Sequence, residues 1–252
     1  MSLLEATDIT KTFAGINALN HVGLQVDTGE LVGLIGPNGA GKTTLFNCIY
    51  GVLRPDAGEI SFDGRPIVGL PVHRRARLGM GRTFQRMELF SGMSVRDHLI
   101  VAERSRSSRG GLVRDLLFRG GATADEKAKA DHILGLLDLD TDADRPIEAM
   151  SLGRGRLVEL GRALMMEPRL LFLDEPSSGL DRNETMEMAD VLTAVQRENG
   201  TAILMVEHDI ATVQRITSRL YVLDYGVLIA SGTTAEVMAD PRVRTAYLGV
   251  GA

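Results

Sequence analysis

Short apolar runs alternate with longer amphipathic stretches along this chain. Val22, Leu24 and Val26 alternate with polar or small neighbours, the period-two pattern of a half-buried strand, and Asp27-Thr28-Gly29 then marks a turn. Residues 31–35, 170–173 and 202–206 are unbroken apolar runs of the kind found in strands covered on both faces. Residues 59–65 predict a further strand, entering a turn at Asp63-Gly64. A helix is predicted from Lys42 to about Tyr50, and Ser94 is placed to cap another over 95–103. Three more helical stripes follow: Ile133, Leu134, Leu136 and Leu137; Leu157, Leu160, Ala163 and Leu164; and Met186, Ala189, Leu192 and Val195. Buried strands alternating with helices predict an α/β layered core around a parallel sheet, with the block from about Glu88 to Met150 inserted as helices.

Length and composition narrow this picture. The 252 residues suffice for one large or two small domains and for a core without covalent staples. Hydrophobic residues at 44% and charged residues at 24% exclude bulk disorder. The 28 glycines exceed the usual share of ~7%, which points to loops of unusual backbone geometry or close ligand approach. Cys48 is the only cysteine, so an intrachain disulfide is excluded, and it reads as a small core residue of a reducing compartment. No apolar run approaches the ~18 residues of a membrane span, and residues 1–10 lack signal-peptide character. The expectation is a soluble, cytosolic chain. A net charge of −5 argues against a dedicated nucleic-acid binder.

Three segments carry chemistry. Gly36-Pro37-Asn38-Gly39-Ala40-Gly41-Lys42-Thr43 fits the phosphate-binding loop and stands between an apolar strand and a helix, the context that loop requires. Its glycines let backbone N–H groups converge on phosphate oxygens, and the helix N-terminus adds partial positive charge. Lys42 would reach the terminal phosphates and the Thr43 hydroxyl would ligand magnesium. Gly36, Asn38, Gly39, Gly41, Lys42, Thr43 and Thr44 are the resulting nucleotide-contact set. Next, the strand ending in Asp174-Glu175 delivers a metal-side acid, Asp174, and a candidate catalytic base, Glu175. Finally, Val206-Glu207-His208-Asp209 ends another apolar run, from which His208 could contact the γ-phosphate or simply occupy a polar loop.

Met150-Ser151-Leu152-Gly153-Arg154, lying before the Asp-Glu strand, resembles the signature loop of ATP-binding cassette proteins. Arg82-Thr83-Phe84-Gln85 looks like the family's glutamine loop, and Ser178-Gly179-Leu180-Asp181 like its D-loop, with Asp181 among the nucleotide-site residues. His208 falls at the switch histidine, and Phe13 matches the aromatic that stacks on adenine. The motifs occur in the family's order across nearly the whole chain. The resemblance implies an ATP- and Mg2+-dependent ATPase that forms a head-to-tail dimer with a second cassette, itself or a sister chain. Ser151 and Gly153 would contact the γ-phosphate of the partner's ATP. Gln85 would join the magnesium and water shell, beside Thr43 and Asp174, and report to a membrane permease. A periplasmic substrate-binding protein would be an indirect partner, nucleic acid would not be one, and the chain would lie peripherally on the inner face of the cell membrane.

The expected fold is a P-loop NTPase cassette: a parallel-sheet core, a small antiparallel β-subdomain and an inserted α-helical subdomain. Residues 1–86 and 150–225 would form the nucleotide-binding core, 87–149 the helical subdomain, and 226–252 a tail of strands and a short helix. Gly81-Arg82-Thr83-Phe84-Gln85, the basic insertion at 104–119, and the tail Val243-Arg244-Thr245-Ala246-Tyr247-Leu248-Gly249 together look like the ATPases of branched-chain amino-acid importers. Lipopolysaccharide-export cassettes share the tail and are the main alternative; a non-transport clamp on nucleic acid or ribosomes, and a regulatory subunit that hydrolyses poorly, are others. Leu152 stands where the signature loop usually has glycine, Arg154 where it has glutamine, and Leu157 where arginine is common. Arg154 could add charge near the trapped phosphates or pair with an acid across the interface. The insertion's arginines read as a solvated loop or as a face toward anionic lipid head groups.

Overall fold

The computed structural model describes residues 2–83, 89–107 and 121–248. Its chain lays down two sheets. Strands β1 (Ser2–Phe13) and β2 (Ile16–Asp27) form an antiparallel hairpin. Strand β4 (Ala57–Phe62) adds to β1, and the short β5 (Arg65–Pro66) follows the Asp63-Gly64 turn, giving the order β2-β1-β4-β5. The second sheet joins β3 (Leu31–Ile35), β6 (Met80–Arg82), β7 (Leu170–Asp174), β8 (Ala202–Val206), β9 (Arg219–Asp224) and β10 (Val227–Thr233) in the order β10-β9-β3-β8-β7-β6. All neighbours in it are parallel except β9 and β10.

The expected buried runs are β3, β7 and β8, and every residue in them is buried. Alternation of side chains sorts each run between two cores. Leu170 and Phe172 join Phe46, Ile49 and the first sheet's Leu4, Val22 and Phe62. Leu171 and Leu173 face the opposite way, onto a helical layer. That layer comprises α3 (Val95–Ser107), α4 (Ala124–Leu136), α5 (Leu152–Leu164) and α6 (Arg182–Asn199). The predicted Ser94 cap is present, its hydroxyl accepting the Asp97 N–H at 3.1 Å. Thr123 with Glu126, and Asp181 with Glu184, close capping boxes on α4 and α6.

A third core joins β9 to α7 (Ile210–Ile216), α8 (Thr234–Ala239) and α9 (Pro241–Leu248). The tail therefore departs from expectation: its described residues form one strand and two helices. Thr233 and Glu236 form a capping box that stops β10 and starts α8, and Pro241, needing no N–H partner, opens α9.

Helix α1 (Lys42–Tyr50) runs along the range expected for it and ends against a buried cation. Arg75, on α2 (Val72–Arg77), is 2% exposed. Its guanidinium donates to Cys48 O at 3.1 Å, Ile49 O at 2.5 Å and Leu70 O at 2.9 Å, so it serves the last carbonyls of α1, where the helix dipole is negative. Gly51 has φ 91°, and a Cβ there would lie 2.5 Å from Arg75 Nε. Cys48 is fully buried and its thiol is pushed up to about 11 by that burial, as suits a core residue. Arg75→Met should therefore lower unfolding free energy by about 3 kcal/mol, since hydrogen bonds from a charged donor are lost and buried carbonyls are left unpaired; urea unfolding followed by circular dichroism measures it.

Candidate functional site

The strand register brings the predicted segments to one edge. Leu34 pairs with Val206, and Val206 pairs with Asp174, so β3, β8 and β7 end in one row. The segments that follow carry the glycine loop, Glu207-His208 and Glu175. This is the carboxyl edge of a parallel sheet, where open α/β folds bind ligands. A cavity of about 410 Å³ lined by Thr28, Ile133, Pro168 and Gly200 lies at the opposite edge, beside residues that precede β3, β7 and β8.

The loop's shape needs glycine at two points. Gly36 has φ 152°, and a Cβ would sit 2.1 Å from Leu223 O. Gly41 has φ 102° and caps α1, with a Cβ position 2.5 Å from Ala18 O. No side chain caps α1 and its first turn holds no acid, so the N–H groups and partial positive charge of its N-terminus are left for an external anion. Asn38 and Gly39 form the exposed crest of the loop; Thr43 is exposed and Thr44 half-buried on the first turn. Lys42 is 7% exposed and folds back over the loop, donating to Gly36 O at 2.6 Å and Pro37 O at 2.9 Å. Burial holds its pKa below the usual lysine value, against the pull of Glu175 and Asp174.

Asp174 is 5% exposed, and Arg82 Nη2 donates to its Oδ2 at 3.1 Å. Arg82 also donates to Asn47 Oδ1 at 2.7 Å and packs over the rings of Phe46 and Tyr50. Burial raises the Asp174 pKa, opposed by the Arg82 charge and reinforced by Glu175. Glu175 has φ 50°, an unusual backbone for a residue with a side chain. Its conformation is held by its N–H donating to Val206 O at 2.9 Å and its carbonyl accepting the Ser178 N–H at 3.0 Å. The His208 side chain is 58% exposed, with Nδ1 3.9 Å from Glu207 Oε2.

The remaining predicted residues lie elsewhere. Ser151 caps α5: its Oγ accepts the Arg154 N–H at 3.2 Å and donates to Glu184 Oε1 at 3.2 Å. Gly153 packs on the same Glu184, whose Oε1 is 2.7 Å from the position of an added Cβ. Asp181 caps α6 and accepts from the Asn183 and Glu184 N–H groups. Phe13 is 45% exposed at the tip of the β1–β2 hairpin, beside Lys11, so it is not a core aromatic. Gln85 lies outside the described residues.

Arg154 is held within its own chain. It pairs with Asp142 at 3.1 Å and donates to Asp138 O at 2.6 Å, both in its own chain. Within the basic insertion, Arg104 pairs with Glu126, and Arg106 with Glu103 and Glu167; Arg109, Arg114 and Arg119 lie outside the described residues. Sequence reasoning quoted Arg82 and Glu207 inside motifs but gave neither a role. Glu207 carried a signal, a charged residue directly after an apolar run; Arg82, after Met80 and Gly81, carried none.

A glycine loop before an uncapped helix, a buried lysine and strand-end acids at a parallel-sheet edge define a phosphate-loop nucleotide-binding fold. The model of the ABC transporter family matches residues 19–178, and that of the branched-chain amino acid ATP-binding cassette transporters matches 227–252. The chain is 38% identical over 252 residues to the high-affinity branched-chain amino acid transport ATP-binding protein LivG of Salmonella typhimurium, covering 98% of each. It is 34% identical over 247 residues to the lipopolysaccharide export system ATP-binding protein LptB of Acidithiobacillus ferridurans, covering 98% of this chain and 97% of that one. The solved ADP conformation of MJ1267, an ATP-binding cassette of an ABC transporter, superposes with a TM-score of 0.86 at 30% identity and 99% coverage of both chains. The chain belongs to the ABC transporter family and is one of its ATP-binding ATPase cassettes. Among the described residues no helix is long and apolar enough to cross a membrane.

Arg82→Met removes the cation beside Asp174 while keeping an unbranched apolar stem. A buried carboxylate without its partner should cost about 3–5 kcal/mol of stability at neutral pH. Because the variant's folded Asp174 pKa rises further above the unfolded value, that deficit should shrink as pH falls and the carboxyl protonates. Urea unfolding of both chains at pH 7.5 and pH 5 tests the size and the sign.

Proposed function

We propose that this ATPase drives the import of branched-chain or related amino acids, and that the residues gathered at the carboxyl edge of the sheet carry out the hydrolysis. The observation that supports this most is the shared row in which β3, β8 and β7 end, with Lys42, Glu175 and His208 just beyond it. In this reading the loop from Gly36 to Gly41 and the first turn of α1, with Thr43 and Thr44, wrap the phosphates, and Lys42 leaves its own carbonyls for them. Phe13 meets the adenine from the hairpin tip. Glu175 takes a proton from the attacking water and His208 contacts the γ-phosphate.

The oxygen donors present suit magnesium. Thr43 Oγ and the Asp174 carboxylate are hard ligands, with Gln85 as a third contributor, and among the described residues no group of three or more His, Cys, Asp or Glu forms a dedicated cage. That fits an ion held largely by substrate phosphates and water. When bound, it would offset phosphate charge as water attacks.

Ser151, Gly153 and Asp181 form the second half-site. Ser151 is bonded to Arg154 and Glu184, and Lys42 to Gly36 and Pro37, which supports two half-sites that meet only when cassettes pair head to tail. The division into a nucleotide-binding core of 1–86 and 150–225, a helical subdomain of 87–149 and a tail of 226–252 belongs to the same reading. So do the membrane permease subunits, the second cassette, an indirect periplasmic binding protein and a peripheral place at the inner membrane face. The higher identity to a branched-chain amino acid cassette, 38% against 34% for the lipopolysaccharide export relative, and the match of residues 227–252 to the model of branched-chain amino acid cassettes favour amino-acid import over lipopolysaccharide export.

Glu175→Gln should lower ATP turnover by ~10²–10⁴-fold, roughly 3–5 kcal/mol on the barrier, while ATP still binds. Near-normal turnover would remove Glu175 from its role. Lys42→Ala should weaken nucleotide binding itself, read by titration with a fluorescent ATP. For the cargo, a tagged chain pulled from detergent-solubilised membranes should bring two multi-span permeases and a sister cassette, and labelled leucine uptake should fail in its absence. Recovery of lipid-export permeases with a homodimer would overturn the amino-acid reading.

A further inference from the structure

Glu207 is the one charged group at the end of β8 and is fully buried. Its two carboxylate oxygens are divided between two segments. Oε1 accepts the Ser177 N–H at 2.9 Å and the Ser177 Oγ–H at 2.7 Å. Oε2 accepts the His208 N–H at 3.1 Å and lies 3.9 Å from His208 Nδ1. Ser177 follows Glu175 by two residues in a turn closed by the Ser178 N–H to Glu175 O bond. One dry carboxylate thus spans the segment carrying the acid and the segment carrying the histidine.

A buried carboxylate is a costly way to fill space, and an apolar side chain would continue the pattern of β8. What an apolar residue cannot do is accept from both segments at once. Charge-assisted bonds to backbone N–H groups are short and directional, so they fix relative position. We propose that Glu207 is a positioning residue that sets His208 against the Glu175 segment for ATP hydrolysis. This rests on the catalytic reading of Glu175 and His208 given above. Glutamine at this position keeps the volume but accepts through only one of its two head atoms, so one segment is released.

The test uses the purified full chain with Glu207→Gln, Ser177→Ala, His208→Ala and the Glu207→Gln/His208→Ala pair. Glu207→Gln should lower kcat roughly tenfold to a hundredfold, the scale of a sub-ångström to ångström misplacement, with nucleotide Kd within about threefold. In the His208→Ala background the same change should have less than about a twofold effect, because its target is gone. An equal effect in both backgrounds, or kcat and nucleotide affinity falling together, would make Glu207 a stability residue and overturn the inference. Wild-type turnover in His208→Ala alone would instead remove the reading it rests on, and the inference with it. A second readout requires no turnover. The chain has five histidines, so ring-labelled spectra are tractable and the His208 signal is identified by its loss in His208→Ala. That signal should move in Glu207→Gln and Ser177→Ala; an unmoved signal in both would overturn the positioning role.

Discussion

Everything at the carboxyl edge depends on a close meeting of backbones beneath the phosphate loop. Gly36 lies over Leu223 O and Gly41 over Ala18 O, at separations no Cβ would permit. The Gly226 N–H donates to Ala40 O, and the Asn20 N–H donates to Gly226 O, at 3.0 and 2.8 Å. The loop is therefore seated on the β9–β10 turn and on β2 together, which joins the antiparallel sheet to the parallel one at the point where phosphate would bind. Because backbone contacts set its shape, the donors are arranged before a ligand arrives, and little ordering remains to oppose binding.

Helix α1 carries that arrangement into the electrostatics. Its first residue, Lys42, brings a charge to the loop, and its later residues Phe46, Asn47 and Tyr50 hold Arg82 against Asp174. One short helix thus carries the lysine that folds over the loop and holds the arginine that faces Asp174. Arg75 closes the far end of the same helix through its last carbonyls. Burial holds the Lys42 pKa down against the pull of Glu175 and Asp174, and burial raises the Asp174 pKa with the Glu175 charge adding to it. Rotation or fraying of α1 would disturb all of these together.

The sequence made some of this legible and hid the rest for a physical reason. The apolar runs of β3, β7 and β8 and the glycine loop are local patterns, and the structure has them where the periodicity puts them. The tail was misjudged although its capping box, Thr233 with Glu236, is also local and could have been read. The pairs Arg82–Asp174, Arg75–Ile49 and Ser177–Glu207 are different. They join residues 92, 26 and 30 positions apart. Each is a buried polar contact specified by tertiary packing, and no periodicity announces it. What the chain does display is Asp174 and Glu207 where apolar runs end, which marks those positions without naming their partners.

Arg154 shows how the departures in the loop after Met150 fit this frame. The Ser151 hydroxyl is already occupied within its own chain, accepting at the start of α5 and donating to Glu184. A phosphate presented by a partner would have to compete with the Glu184 carboxylate, which also completes the Asp181 cap. Gly153 lets that carboxylate lie close over the start of α5, since a Cβ there would fall 2.7 Å from its Oε1. Leu152 packs instead toward Gly179, 3.0 Å from the position a Cβ there would take, and Arg154 reaches back to Asp142 and the Asp138 carbonyl. The two unusual residues therefore anchor α5 to its own chain, on one side to the segment after Glu175 and on the other to the turn after α4. Ser151 and Gly153 face Glu184 instead, so the unusual residues of this loop and its serine and glycine make separate contacts.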